Sequence, residues 1–191
     1  PKASIPRLGD ARVWQYGILL GSSVIAFFVV NAYSGSVLQA RGEDYALDGL
    51  LLAYNSMPLV ASLCLLAAPN LIRKRAPVAI SAIAAVIGLA GFVFFDGWVS
   101  WAGAVVVGYA ATVETILLVS LPPNIAHGTA VTRLSAGMTL IGFSFAFLIP
   151  LLGGWIADLA GSVELTLYPG LVFMVLALLA LGRESEYPIY E

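Results

Sequence analysis

The 191 residues are 60% hydrophobic and only 10% charged, with a mean hydropathy of +0.95, which excludes an ordinary soluble domain. A net charge of -2 provides neither the basic footprint of a nucleic-acid binder nor that of a peripheral membrane anchor. The single cysteine, Cys64, can form no internal disulfide and is expected to act as a small buried hydrophobe.

Residues 1–12 are polar and lack a secretory h-region with a cleavage site, so they read as a cytoplasmic lead-in or linker. The first apolar span covers 13–39 and opens with Trp14 and Tyr16, rings suited to the membrane interface. Asn31 and Ser34 fall on one helical face with Phe27, where they would contact a solute or hydrogen-bond a neighbouring helix. The acids Glu43, Asp44 and Asp48 favour the positive end of the helix that follows and do not mark a metal site. A second span, 46–68, carries Asn55, Ser56 and Pro58; the proline removes a backbone hydrogen bond and predicts a bend. Asn55 and Ser62 share what is expected to be its inward face.

Arg73-Lys74-Arg75 is the densest basic cluster and reads as a cytoplasmic topological anchor. The third span, 77–95, has little polarity beyond Ser81 and is expected to face lipid. Asp96-Gly97-Trp98 predicts a turn tight enough to make the third and fourth spans antiparallel neighbours. The fourth span, 99–120, holds one carboxylate, Glu114, well inside it, and an ionisable group at that depth is costly. Gly103, Val107, Ala110 and Ala111 share its face.

Leu121-Pro-Pro-Asn breaks the helix, and His127 is the sole histidine, with no second metal ligand nearby. The fifth span, 130–158, has a small and polar stripe through Ser135, Met138, Thr139, Gly142 and Ala146, loosened at its far end by Pro150 and Gly153-Gly154. A featureless sixth span, 167–181, ends the 13–182 bundle, and 183–191 form a polar tail.

These runs predict an all-α membrane protein of six transmembrane helices with both termini cytoplasmic, since that layout gathers every basic residue except Arg41 on one side. The two triplets would start on opposite sides of the membrane, as in a 3+3 inverted-repeat bundle. Spans one, two, four and five would then surround a path while three and six face lipid.

The pattern resembles the carboxyl-terminal six-helix half of a major facilitator superfamily transporter. It is most similar to the cyanate and nitroimidazole permease branch through Leu134-Ser-Ala-Gly-Met138, Gly142-Phe143, Pro150-Leu-Leu-Gly153 and Asp158-Leu-Ala-Gly161-Ser162. The resemblance covers nearly the whole chain, although the acidic part of the family's inner-loop signature is missing beside the basic triplet. It implies a permease of a bacterial cytoplasmic membrane that moves small solutes, often organic anions, by proton coupling or exchange. Such transporters bind solute between two six-helix halves, so the chain would be a fragment, a natural half that dimerises, or a subunit of a larger membrane complex.

On this reading Asn31, Ser34, Asn55, Ser135 and Thr139 are candidates to line the path. Glu114 is either a proton-coupling carboxylate or the partner of Arg133, which begins the next antiparallel span at a similar depth, about 9 Å from the membrane edge at 1.5 Å per residue. No lysine or arginine occupies the middle of a span to receive an anion, which leaves Arg133, neutral donors such as Asn31 and Asn55, or a second half. The competing expectation is a six-helix scaffold or accessory subunit that transports nothing. No catalytic motif, cofactor cradle or metal-ligand set is present, so an enzyme is not expected.

Overall fold

A computed structural model describes residues 8–72 and 74–181, together with the backbone but not the side chains of 180 and 181. It is 89% helical and has no strand among the described residues. Helix α1 spans Ala11–Ala40, α2 Leu47–Ala67, α3 Arg75–Phe94, α4 Gly97–Val119, α5 Pro122–Ile125, α6 Thr129–Ala160 and α7 Tyr168–Leu181. Of these α1, α2, α3, α4 and α6 are long and apolar enough to cross a membrane, as an integral membrane protein requires.

The sixth predicted span differs. Over the described residues helix α7 covers 14 positions up to Leu181, about 21 Å at 1.5 Å per residue, so five helices, not six, reach spanning length among the described residues. A 3-10 segment over Val163–Leu167, containing Glu164, precedes it and takes up the start of the apolar run. Lys2, Arg7, Arg73 and Arg183, on which the predicted sidedness partly rests, lie outside the described residues.

Local chemistry explains where the helices start and stop. Asp10 caps α1 by accepting the Arg12 N–H at 3.0 Å, which satisfies one of the unpaired donors of the first turn. Gly97, at φ +61°, makes the reversal between α3 and α4 that a β-carbon would disfavour. Gly161, at φ +67°, ends α6 in the left-handed conformation.

Helix α1 is the hub. It packs most closely against α6 and also contacts α4 and α7, while α2 lies mainly on α4, and α3 on α4 and α7. The most apolar stretch of α1 is 72% buried, against 22% for α2 and 28% for α6. The protein therefore leaves the broad faces of α2 and α6 to lipid or to another polypeptide. Cys64 lies on one of these uncovered faces and is exposed, so it is not the buried hydrophobe its sequence context predicts.

The α3–α4 contact is backbone against backbone. A β-carbon on Gly103 would stand 2.6 Å from the Gly88 carbonyl oxygen and 2.8 Å from the Phe92 nitrogen, so only glycine admits this approach. Helix α3 is consequently two-faced: its Gly88 side is closed by α4, and Ile80, Ile83 and Ile87 stay exposed. The third span is therefore not the uniformly uncovered helix that its sequence predicts, since α4 packs along one side of it.

At both prolines inside helices a neighbouring helix packs on the chain. Pro58 has no N–H to offer the Tyr54 carbonyl, and α4 brings Gly108 against that oxygen, where an added β-carbon would lie 2.8 Å away. In α6 the Pro150 carbonyl accepts the Tyr33 hydroxyl of α1 at 2.7 Å.

Arg41, just past α1, ties one end of the bundle together. Its side chain is 6% exposed. Nη1 donates to the Phe92 and Phe95 carbonyls at 3.0 and 2.9 Å and to Ser100 Oγ at 3.2 Å, and Nη2 donates to the Val93 carbonyl at 2.9 Å. Nε lies 3.2 Å from Asp96 and 3.4 Å from Glu164. One guanidinium thus satisfies the orphan carbonyls at the end of α3 and links α1, the α3–α4 turn and the segment before α7.

Candidate functional site

Glu114 is 1% exposed and sits where α4 meets α1. Its Oε1 lies 3.3 Å from the Ser22 hydroxyl oxygen, while that hydroxyl also lies 2.7 Å from the Leu19 carbonyl of its own helix. A serine has one hydrogen to give, and the shorter contact takes it more completely. The carboxyl group is therefore weakly served, since an ionised carboxylate has acceptor sites for about four donors.

The next turn extends the polar seam. Thr115 Oγ1 is 2.9 Å from Ser23 Oγ and 2.8 Å from the Ala111 carbonyl, and Ser23 donates to the Leu20 carbonyl at 2.9 Å. Ser22-Ser23 on α1 thus faces Glu114-Thr115 on α4. The doublet is visible in the sequence, but only the α1–α4 crossing reveals that it faces the acid.

Arg133 is not the partner of Glu114. It lies on an exposed part of α6, and no ion pair joins the two among the described residues. The reason is topological: α4 and α6 are consecutive long helices, yet α6 packs on α1 while α4 packs on α1, α2 and α3. The expected hairpin contact is replaced by the α1–α4 seam.

Asn31 and Asn55 do come together. Asn55 Nδ2 donates to Asn31 Oδ1 at 3.1 Å and to the Leu51 carbonyl at 2.9 Å, and Asn31 Nδ2 donates to the Phe27 carbonyl at 3.1 Å. Asn55 is exposed and Asn31 half-buried, so Asn55 Oδ1 and one Asn31 N–H remain available. Beneath them Tyr54 is buried, stacks on Phe27 at 5.1 Å and donates its hydroxyl to the Phe27 carbonyl at 3.1 Å.

Of the other predicted residues, Ser34 is fully buried and its hydroxyl has no partner among the described residues. Ser135 is half-buried and Thr139 exposed on α6. The candidates thus form two separate places: a sealed seam at Glu114 and an open amide pair at Asn31 and Asn55. Among the described residues no group of three His, Cys, Asp or Glu side chains could hold a metal ion.

No family model, curated protein or solved structure matches the chain. Its function is therefore argued from the geometry.

Proposed function

We propose that the chain is one six-helix half of an alternating-access transporter for a small solute, built as a 3+3 inverted repeat. The major facilitator resemblance, and within it the cyanate and nitroimidazole permease branch, belongs to this reading. The observation that carries it is the pairing of the helices. Exchanging α1 with α4, α2 with α6 and α3 with α7 turns the α1–α6 contact into α4–α2 and the α3–α4 contact into α7–α1. It leaves α1–α4 and α3–α7 as themselves. These are the most extensive helix contacts, and they support two triplets related by a pseudo-two-fold axis with α1 and α4 at its centre, whereas the smaller α6–α7, α1–α2 and α1–α3 contacts have no counterpart of similar extent. The contacts at the two prolines obey the same exchange, since α4 meets α2 at Tyr54 and α1 meets α6 at Pro150.

Glu114 stands at the crossing of the two central helices, with α2 and α6 largely uncovered beside them. The uncovered faces would meet a second six-helix half, a homodimer partner or a larger membrane complex. An organic anion is the favoured solute class by resemblance; with Arg133 exposed and not paired with Glu114 among the described residues, its countercharge would come from the second half. Ser22 suits reversible protonation of Glu114, because its oxygen can accept a hydrogen bond from a neutral carboxyl while its own hydroxyl donates to the Leu19 carbonyl.

The test is uptake into proteoliposomes by the protein purified from its native membrane with its co-purifying polypeptides. The panel is small organic anions under an imposed pH gradient. Concentrative uptake of one member is expected. Absence of gradient-driven uptake across the panel would favour a second reading, a non-transporting scaffold or accessory subunit. The sealing of Glu114 at 1% exposure favours that reading, because polar groups spent on helix contacts are what a scaffold needs.

A further inference from the structure

We propose that a groove at one end of the bundle is a binding site for a phospholipid with an anionic headgroup. The groove has a volume of about 440 Å³ and lies between the α2–α3 link and the α4–α5–α6 link. Its floor is apolar, formed by Ile72, Leu117, Leu118 and Ile125, and its rim carries Lys74 and His127. No carboxylate lines it among the described residues.

Three features select the occupant. Lys74 and His127 are exposed, and neither side chain has a hydrogen bond or ion pair among the described residues. The ammonium offers three donors and a neutral imidazole one, a set that matches phosphate oxygens. The apolar floor suits the glycerol and first acyl carbons, which a free phosphate would leave unused. Finally, the groove lies where α3 begins and α4 ends, the level at which headgroups meet a spanning helix and where basic pockets recruit anionic lipid. The groove at the opposite end makes the contrast, being lined by Glu43 with Tyr45, Trp98 and Trp101 and, among the described residues, by no cation.

The experiment places the protein in nanodiscs of equimolar phosphatidylglycerol and phosphatidylcholine and counts retained lipids by native mass spectrometry. One cation near the surface is worth about 1 kcal/mol, so phosphatidylglycerol should be retained about fivefold over phosphatidylcholine. The double variant Lys74→Ala/His127→Ala should reduce that ratio to parity. Ile72→Trp should do the same by filling the groove while both donors remain, which separates a seated lipid from general surface attraction. Parity in the unmodified protein, or a preference that survives both variants, overturns the proposal. Displacement of phosphatidylglycerol by millimolar inorganic phosphate also overturns it, since the site would then take a soluble anion.

Discussion

Arg41 and Glu114 are both ionisable side chains almost withdrawn from solvent, and the bundle treats them oppositely. Arg41 directs its guanidinium at three backbone carbonyls, a serine and two carboxylates. Glu114 has one hydroxyl, shared with a carbonyl. Desolvating an ion costs several kcal/mol unless partners compensate, and only Arg41 has them in number. A fully satisfied buried charge holds a structure together. A poorly satisfied one is kept for another reason, and in a membrane span a change of charge during a cycle is such a reason.

The contrast breaks most severely at Arg41. Arg41→Ala strands the carbonyls at the end of α3, and the expected loss is about 3 kcal/mol or more, read as a lowered midpoint of thermal unfolding in detergent or nanodiscs. Asp96 and Glu164 are 74% and 50% exposed, so water solvates them again and they add little to the loss. Arg41→Lys should recover only part of it, because an ammonium cannot spread donors over this fan of acceptors. A midpoint unchanged in Arg41→Ala would remove the structural role assigned to this residue. Gly103→Leu should come next, at about 1–3 kcal/mol, by prising α4 from Gly88 and Phe92; an unshifted midpoint would mean that the α3–α4 seam is looser than described.

Arg41 also marks the limit of what the residues reveal unaided. Apolar runs locate the helices and Asp96-Gly97 locates the reversal, because length, hydropathy and turn chemistry are local. Glu114 is conspicuous for the same reason, as an acid inside an apolar run. The partners of Arg41 are mostly backbone carbonyls, which no side-chain pattern marks, so it reads as a stray loop cation. Glu114 is matched to Arg133 by chain proximity, whereas the packing matches it to Ser22, because helices adjacent in sequence need not be adjacent in the bundle. Burial of α3 is missed at Gly88 for a related reason: a glycine contributes no hydropathy signal for the close contact it permits. Asn31 and Asn55 were legible individually, and their hydrogen bond needed the fold.

If Glu114 is kept for its proton, Glu114→Gln should barely change stability, by less than about 1 kcal/mol, since the amide has a similar shape and can donate to Ser22. Function should change far more. Gradient-driven accumulation in proteoliposomes should be lost while downhill exchange of solute persists, because the amide cannot exchange a proton. Retained uphill transport with an unchanged pH dependence would rule out proton coupling at this position. A collapse of stability instead would place Glu114 with Arg41, as a structural charge.

The smallest expected effect on stability is at Asn55. Asn55→Ala removes one interhelical hydrogen bond between exposed and half-buried amides, worth about 0.6 kcal/mol in a membrane bundle. Its value lies in the ratio of two readouts. If Asn55 Oδ1 and the spare Asn31 N–H contact solute, the variant should raise the solute concentration for half-maximal uptake several-fold, well beyond what so small a destabilisation produces. Asn31→Ala should do likewise, and the double variant should add little, since each single change already disables the pair. Equal small losses in stability with unaltered uptake would reduce the pair to a helix contact, leaving the α1–α4 seam as the one functional polar feature of the bundle.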